Sequence, residues 1–258
     1  MNIWKAAYVA SGFFILFVAF FSTQNIQTVI MKENGLGNMG YIMLATLYLF
    51  IGVGSIFSTA IQKRFGIRNC LVAGAFGHFI FIFANALPAY RHEYYKNHDD
   101  FTSIFFFKEP VVKIILILSV ILNGFGAAII WVAQGEYFSK CTNEEGKGFF
   151  FGFFWSVYQG SQIFGSLFGS YIFKFNLNKT VFSIVMSFLA MIGMLSFCFI
   201  RKPYVHCNLV RKDIHLAKEE DYYTNDGNSS QMDTSRGSTF RKDFHKQESL
   251  PVEPKTPE

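Results

Sequence analysis

The side chains best suited to chemistry lie in one apolar stretch, residues 148–173. Four polar or aromatic residues occur there at positions i, i+3, i+4 and i+7, namely Trp155, Tyr158, Gln159 and Gln162. A helix would present all four on one face. An amide without a partner in hydrocarbon costs several kcal/mol. Two interpretations follow and stay open: this face lines a polar cavity for a small solute, or it forms hydrogen bonds with neighbouring helices.

Further candidates occur in two other apolar stretches, 6–31 and 114–135. Polar groups inside a membrane usually face other helices or a cavity, so we include these amides in the predicted lining. The complete candidate cavity lining is Gln24, Asn25, Asn123, Trp155, Tyr158, Gln159 and Gln162. His78, which is alone in its stretch, is interpreted as a packing residue that forms a hydrogen bond rather than as a proton relay.

Sequence patterns of enzymes, metal sites and channels are missing. The chain has no HExxH, no GxSxG and no phosphate-binding glycine loop, so we predict no enzymatic activity, no catalytic residue and no cofactor. None of the four cysteines has a ligand spacing with another cysteine or a histidine, so no metal site is predicted. No selectivity-filter motif or arginine ladder indicates a channel acting alone.

The elements that carry these residues follow from the distribution of charge. Six stretches lack Asp, Glu, Lys and Arg altogether: 6–31, 34–62, 69–90, 114–135, 148–173 and 180–200. A helix that crosses a bilayer needs about 20 apolar residues. We therefore predict an all-α polytopic membrane protein, which excludes a soluble enzyme and a secreted disulfide scaffold. The six predicted transmembrane helices span about 6–30, 40–61, 68–88, 112–134, 148–173 and 179–200.

The predicted domains are a six-helix transmembrane bundle at 1–203 and a disordered cytosolic tail at 204–258. The tail is rich in Ser, Asp, Lys and Pro and has too few aliphatic residues for a core. Lys63, Arg64 and Arg68 lie in one short loop, and basic loops favour the cytosolic side. We expect both termini in the cytosol, with the bilayer as a partner and no role for nucleic acid; the choice between plasma membrane and endomembrane stays open.

Small residues at fourfold spacing predict close helix packing along the fifth span. One line consists of Gly148, Gly152, Ser156 and Gly160, and another of Ser161, Gly165 and Gly169.

Two longer motifs carry a resemblance to a known family. Residues 124–137 (GFGAAIIWVAQGEY) and 154–165 (FWSVYQGSQIFG) resemble motifs of the Unc-ninety-three-like family of the major facilitator superfamily. Residues 19–28 fit as well, and 199–203 are similar to the branch of major facilitator superfamily domain-containing protein eleven. Residues 62–68 (QKRFGIR) resemble a degenerate form of the superfamily's loop motif without its usual Asp. The motif residues taken from this resemblance are Trp131, Gln134, Gly135, Tyr137 and Gly165.

The resemblance implies the N-terminal six-helix half of a transporter-like fold, in which spans 1, 2, 4 and 5 face the centre. It implies a transporter-like protein with a small-solute cavity; the alternative is a non-transporting accessory subunit that regulates an ion channel, or a receptor-trafficking factor. Family members have a second six-helix bundle, whereas this chain ends at Glu258. We therefore expect a partial gene product, or a chain that pairs with a second six-helix half or with a copy of itself.

Overall fold

Charge-free stretches form long α-helices throughout the part of the chain that the structure describes. This structure, a computed structural model, describes residues 3–97, 105–142, 146–175 and 178–201. These residues form α1 (Ile3–Glu33), α2 (Met39–Phe65), α3 (Ile67–Ala84), α4 (Ala86–Asn97), α5 (Glu109–Cys141), α6 (Lys147–Phe175) and α7 (Lys179–Cys198), with a short 3-10 helix at Phe105–Phe107. The predicted disordered tail, 204–258, lies outside the described residues.

Helix boundaries differ from the predicted spans mainly at the third and fourth spans. The third span was predicted at 68–88, but α3 ends at Ala84 and α4 follows after Asn85. Pro88 explains this break, because it has no N–H to donate to the carbonyl of Ala84. Asn85 donates its side-chain amide to the Phe81 carbonyl at 2.8 Å. The fourth span was predicted at 112–134, whereas α5 extends from Glu109 to Cys141.

Among the described residues, five helices are long and apolar enough to cross a membrane. They are α1, α2, α5, α7 and the segment Ile67–Tyr95, which comprises α3 and most of α4. Although α6 has 29 residues, it is not one of the five. The described chain has the helical polytopic architecture that the charge-free stretches predicted.

Packing places α1 at the centre of one side of the bundle. It packs along α6 and α7, while α3 packs along α5 and α7, and α5 packs along α2. Two glycines illustrate how closely the helix backbones approach each other. A Cβ atom on Gly74 of α3 would lie 2.6 Å from the Gly126 carbonyl oxygen of α5. A Cβ atom on Gly193 of α7 would lie 2.9 Å from the backbone nitrogen of Leu16.

The two predicted lines of small residues in α6 behave differently. Gly165 lies against α1, and a Cβ atom there would be 2.7 Å from Phe21 Cβ and 3.1 Å from the Ser22 nitrogen. Gly169 has ordinary contacts at 3.5 Å or more, so a methyl group would fit there. Gly148 and Gly152 have no atom within 4 Å of such a Cβ. The prediction of tight packing is confirmed at Gly165 and is wrong at Gly148 and Gly152, because that line faces outward.

Polar contacts join three helices at the end of the bundle where α7 begins. The Asn178 side chain accepts hydrogen bonds from the backbone N–H groups of Thr180 and Val181, which caps α7. Its amide also donates to a Glu93 carboxylate oxygen at 2.8 Å. Lys179 pairs with Glu33 at the end of α1. The start of α7 is therefore fixed to both α1 and α4.

Candidate functional site

An aromatic cluster brings the two family motifs together in space. Trp131 of α5 stacks on Trp155 of α6, with ring centroids 5.7 Å apart and an angle of 10° between the planes. The same Trp131 meets Tyr158 edge to face at 5.0 Å. These contacts join residues of the two motifs into a single structural unit between α5 and α6.

Aromatic residues of α1 support this cluster from the bundle interior. Phe17 contacts Tyr158 at 5.1 Å and Trp131 at 5.6 Å. Phe13 contacts Phe154 at 5.1 Å in an edge-to-face arrangement. Each such pair contributes about 0.5–1.5 kcal/mol beyond its buried area. The cluster thereby fixes the rotation of α6 about its axis and determines which of its residues point outward.

The outward side of α6 is a polar and aromatic surface that we call the open face. It consists of Trp155, Tyr158, Gln159, Gln162, Ser166 and Ser170, of which Tyr158 is half-buried and the others are exposed. The two glutamines and two serines, with Ile163 and Leu167, line a shallow groove of about 490 Å³. The groove offers amides and hydroxyls beside apolar side chains, so it can bind a partner through hydrogen bonds and apolar contact.

Most of the predicted lining residues lie at or beside the open face. Trp155, Tyr158, Gln159 and Gln162 lie on it together, as their spacing predicted. The exposed Asn25 of α1 donates its amide to the Ser166 hydroxyl at 3.1 Å, which connects α1 to the groove. Its neighbour Gln24 is half-buried on α1.

Asn123 does not reach the open face. It is completely buried in α5, and neither its amide nitrogen nor its amide oxygen has a partner among the described residues. Its neighbour Gly124 packs on α2, where a Cβ atom would lie 2.6 Å from Phe50 Cβ. On the other side, Gly126 packs against Gly74 of α3. These two contacts rotate α5 so that Asn123 points into the bundle.

His78 has the environment of a packing residue. It is buried, and its Nδ1 lies 2.9 Å from the Gly74 carbonyl oxygen one turn earlier in α3. Its ring contacts Phe17 and Phe20 with centroids 5.1 and 5.2 Å away. This arrangement agrees with the interpretation of His78 as a hydrogen-bonding packing residue.

Of the other motif residues, Tyr137 makes a clear structural contact, whereas the structure does not explain the residue types at Gln134 and Gly135. Tyr137 is buried and donates its hydroxyl to the Arg201 carbonyl at 3.1 Å, which holds α5 to the segment after α7. Gln134 is buried, and its amide nitrogen has no partner in the described part of the chain. A Cβ atom on Gly135 would meet nothing within 4 Å, so packing here does not require a glycine.

Two groove residues were missed by the sequence analysis. Ser166 and Ser170 follow Gln162 at spacings of four and eight residues, which continues the same helical face. The signal was therefore present in the sequence. Small hydroxyl residues in a membrane helix commonly donate hydrogen bonds to their own backbone, as Ser170 does to the Ser166 carbonyl at 2.9 Å. Their presence alone therefore does not indicate a binding role.

The open face contains no Asp, Glu, His, Cys, Lys or Arg side chain. Within the described ranges, no group of three or more His, Cys, Asp or Glu side chains is arranged to hold a metal ion. The groove instead offers neutral donors and acceptors, so the binding that it supports is neutral hydrogen bonding rather than ion pairing.

Comparison with known proteins identifies relatives of this chain. A family model described as Ion channel regulatory protein UNC-93 matches residues 100–242, more than half of the chain. UNC93-like protein 3 of Arabidopsis thaliana is 27% identical over 206 residues, which covers 74% of this chain and 38% of that protein. UNC93-like protein MFSD11 of Xenopus tropicalis is 27% identical over 201 residues, covering 74% of this chain and 40% of that protein. The chain thus spans about two fifths of the length of these relatives.

A solved structure shares the fold. The crystal structure of a D-xylose-proton symporter matches 87% of this chain and 54% of its own chain, with a TM-score of 0.56 and 12% sequence identity. At this identity the match shows the fold alone, which is that of about half of a major facilitator transporter. The family model, which matches more than half of the chain, confirms the resemblance drawn from the two motifs: the chain belongs to the UNC-93 family.

Proposed function

We propose that this chain is an accessory subunit that docks through the open face of α6 against the membrane helices of an ion channel and regulates it. The observation that carries the proposal is the exposure of Trp155 and of two neighbouring glutamines on a helix of a membrane bundle. The description of the matching family model, an ion channel regulatory protein, supports the same class of function.

The physical argument begins with the cost of exposed amides. Gln159 and Gln162 are exposed on α6, and unpaired amides facing lipid would be unfavourable by several kcal/mol. A partner helix with polar side chains would satisfy these groups. Each interhelical hydrogen bond contributes about 0.6 kcal/mol on average, so affinity must come mainly from packing.

Trp155 supplies the packing anchor for this interface. Its side chain is 49% exposed, yet its ring is held in place by the stack on Trp131. Large, rigid aromatic side chains dominate the binding energy of protein interfaces. A preordered Trp beside two amides therefore favours recognition of another protein surface. A receptor that the protein helps to traffic would use the same surface.

Solute transport is the second candidate, favoured by the groove lined by Gln159, Gln162, Ser166 and Ser170. In transporters of this fold, two halves enclose a site near the middle of the membrane. A second six-helix half, or a second copy of this chain, would turn the groove into an enclosed solute cavity.

Site-specific photo-crosslinking tests the docking proposal. A benzophenone amino acid is placed at Gln162 in membranes, with Ile184 of α7, which is 55% exposed, as the control position. We expect an adduct that contains a pore-forming channel subunit at Gln162 and lipid adducts alone at Ile184. Identical adducts at the two positions would refute docking through this face.

Water accessibility separates docking from transport. In a background without the four native cysteines, Gln162→Cys should resist a small water-soluble thiol reagent when a protein partner covers it. Rapid labelling by this reagent, without a protein adduct at the same position, would favour the solute pathway. Labelling only by a lipid-soluble reagent would contradict both functions.

A further inference from the structure

A second cavity lies at the opposite end of the bundle from the Asn178 contacts. It has a volume of about 730 Å³ and is formed by the last turn of α2, Gly66, the first turn of α3, the end of α5, and Ile200 after α7. Side chains from Gln62, Lys63, Arg68, Glu136, Tyr137 and Lys140 line it. Its volume falls within the range of small-molecule sites, about 300–1,000 Å³.

The charge of this cavity is positive. Three cationic side chains line it against one carboxylate, and Glu136 is already paired with Lys140 one turn later in α5. Lys63 and Arg68 have no acidic partner among the described residues. Residues 62–68 (QKRFGIR) contain no Asp or Glu, so this segment itself supplies no counter-charge.

A largely buried residue supplies a hydrogen-bonding amide to this cavity. Gln62 is only 4% exposed and lines the cavity, yet its side chain has no hydrogen-bond partner in the described part of the chain. Buried amides are normally paired, and the Gln62 amide is not among the described side-chain atoms that are both shut off from solvent and unpaired, so it opens onto the cavity. A ligand in the cavity would supply the missing partner.

The start of α3 adds further donors at the same place. Gly66 precedes the helix with a φ of 81°, and no side chain caps the first turn. Backbone N–H groups at an uncapped helix start attract anions. Gly66, Ile67 and Asn69 all border the cavity.

We propose that this cavity binds a phosphate monoester, with Lys63 and Arg68 as the charged contacts and Gln62 as the buried hydrogen-bonding contact. The phosphate is carried either by a phosphoinositide headgroup or by a soluble inositol phosphate. The cavity lies at an end of the apolar helices, and the exposed Phe65 at its border gives a lipid an apolar contact.

Binding is tested on the purified chain in detergent with two probes. The first probe is phosphatidylinositol 4-phosphate in mixed micelles with phosphatidylcholine, and the second is soluble inositol trisphosphate. We expect Lys63→Gln and Arg68→Gln each to weaken binding about fivefold, since a basic residue near an anionic surface contributes about 1 kcal/mol. Lys113→Gln, a change of the same charge at the other end of α5, should leave binding unchanged.

Each outcome has a defined meaning. Weaker binding of either probe by Lys63→Gln and Arg68→Gln supports the site. The probe that binds the unchanged chain shows whether the phosphate comes from a lipid headgroup or from a soluble inositol phosphate. Failure of both probes to bind, or an equal loss in Lys113→Gln, overturns the proposal. Gln62→Leu provides a second check through the buried contact and should weaken binding without lowering the melting temperature. The crosslinking at Gln162 is independent of this result, so the two proposals stand or fall separately.

Discussion

Replacement of Gly165 by alanine is the sharpest test of the contact between α1 and α6. The added Cβ atom would lie 2.7 Å from Phe21 Cβ and 3.1 Å from both the Ser22 nitrogen and the Val18 carbonyl oxygen. Favourable contacts between carbon atoms occur at about 3.5–4.0 Å. Because two of the nearby atoms belong to the α1 backbone, a side-chain rotation cannot relieve the overlap, and the helices must move apart by about 1 Å.

The expected cost follows from that displacement. A gap of about 0.5–1 Å removes roughly a quarter to a half of the dispersion energy of each affected atom pair. Overpacking of a well-packed interior costs about 1–3 kcal/mol. Alanine also stabilises a helix by up to about 1 kcal/mol relative to glycine. The control variant must therefore also replace a helical glycine by alanine.

Gly152→Ala is the matched control. It lies in α6 and has no atom within 4 Å of the new methyl group, so it reports the helix preference alone. We expect the free energy of unfolding of Gly165→Ala to be about 1–3 kcal/mol lower than that of Gly152→Ala. Each kcal/mol corresponds to a difference of roughly 2–4 °C in melting temperature.

The assay is thermal unfolding of both variants in one detergent, followed by tryptophan fluorescence, because Trp131 and Trp155 lie in the cluster that α1 and α6 share. Equal melting temperatures for the two variants would show that α1 does not approach α6 closely at Gly165, and the packing argument would fail.

Three further predictions concern buried polar groups and topology. Tyr137→Phe removes the hydroxyl that donates to the Arg201 carbonyl and should lower the free energy of unfolding by about 1 kcal/mol. The control is Tyr48→Phe, at a residue that is 62% exposed, which should have no effect in the same melting assay. Asn123→Leu replaces a buried amide without a partner by an apolar side chain of similar size and should raise stability by about 1–3 kcal/mol; a lower melting temperature would reveal a partner for this amide. A C-terminal tag should survive protease added to intact cells, because we expect both termini in the cytosol, and its loss would contradict that orientation.

The sequence alone determined the class of fold and the composition of the open face. Charge-free stretches of about 20 or more residues without apolar/polar alternation indicate helices, because lipid cannot satisfy exposed backbone groups and barrel strands would alternate. The spacing of Trp155, Tyr158 and Gln162 places them on one face of any helix, whatever its surroundings. The family motifs could also be recognised directly, since they are defined by residue order.

Tertiary structure alone decided how each helix is rotated towards its neighbours. Helical periodicity gives the angle between residues of one helix but not the direction in which any of them points. Contacts at Gly124 and Gly126 turn Asn123 into the bundle, although its residue type predicted a place in the lining. In α6, the same kind of spacing places Gly165 against α1 and leaves Gly152 outward. These choices depend on which surfaces fit together closely, and that fit exists only between helices distant in the chain.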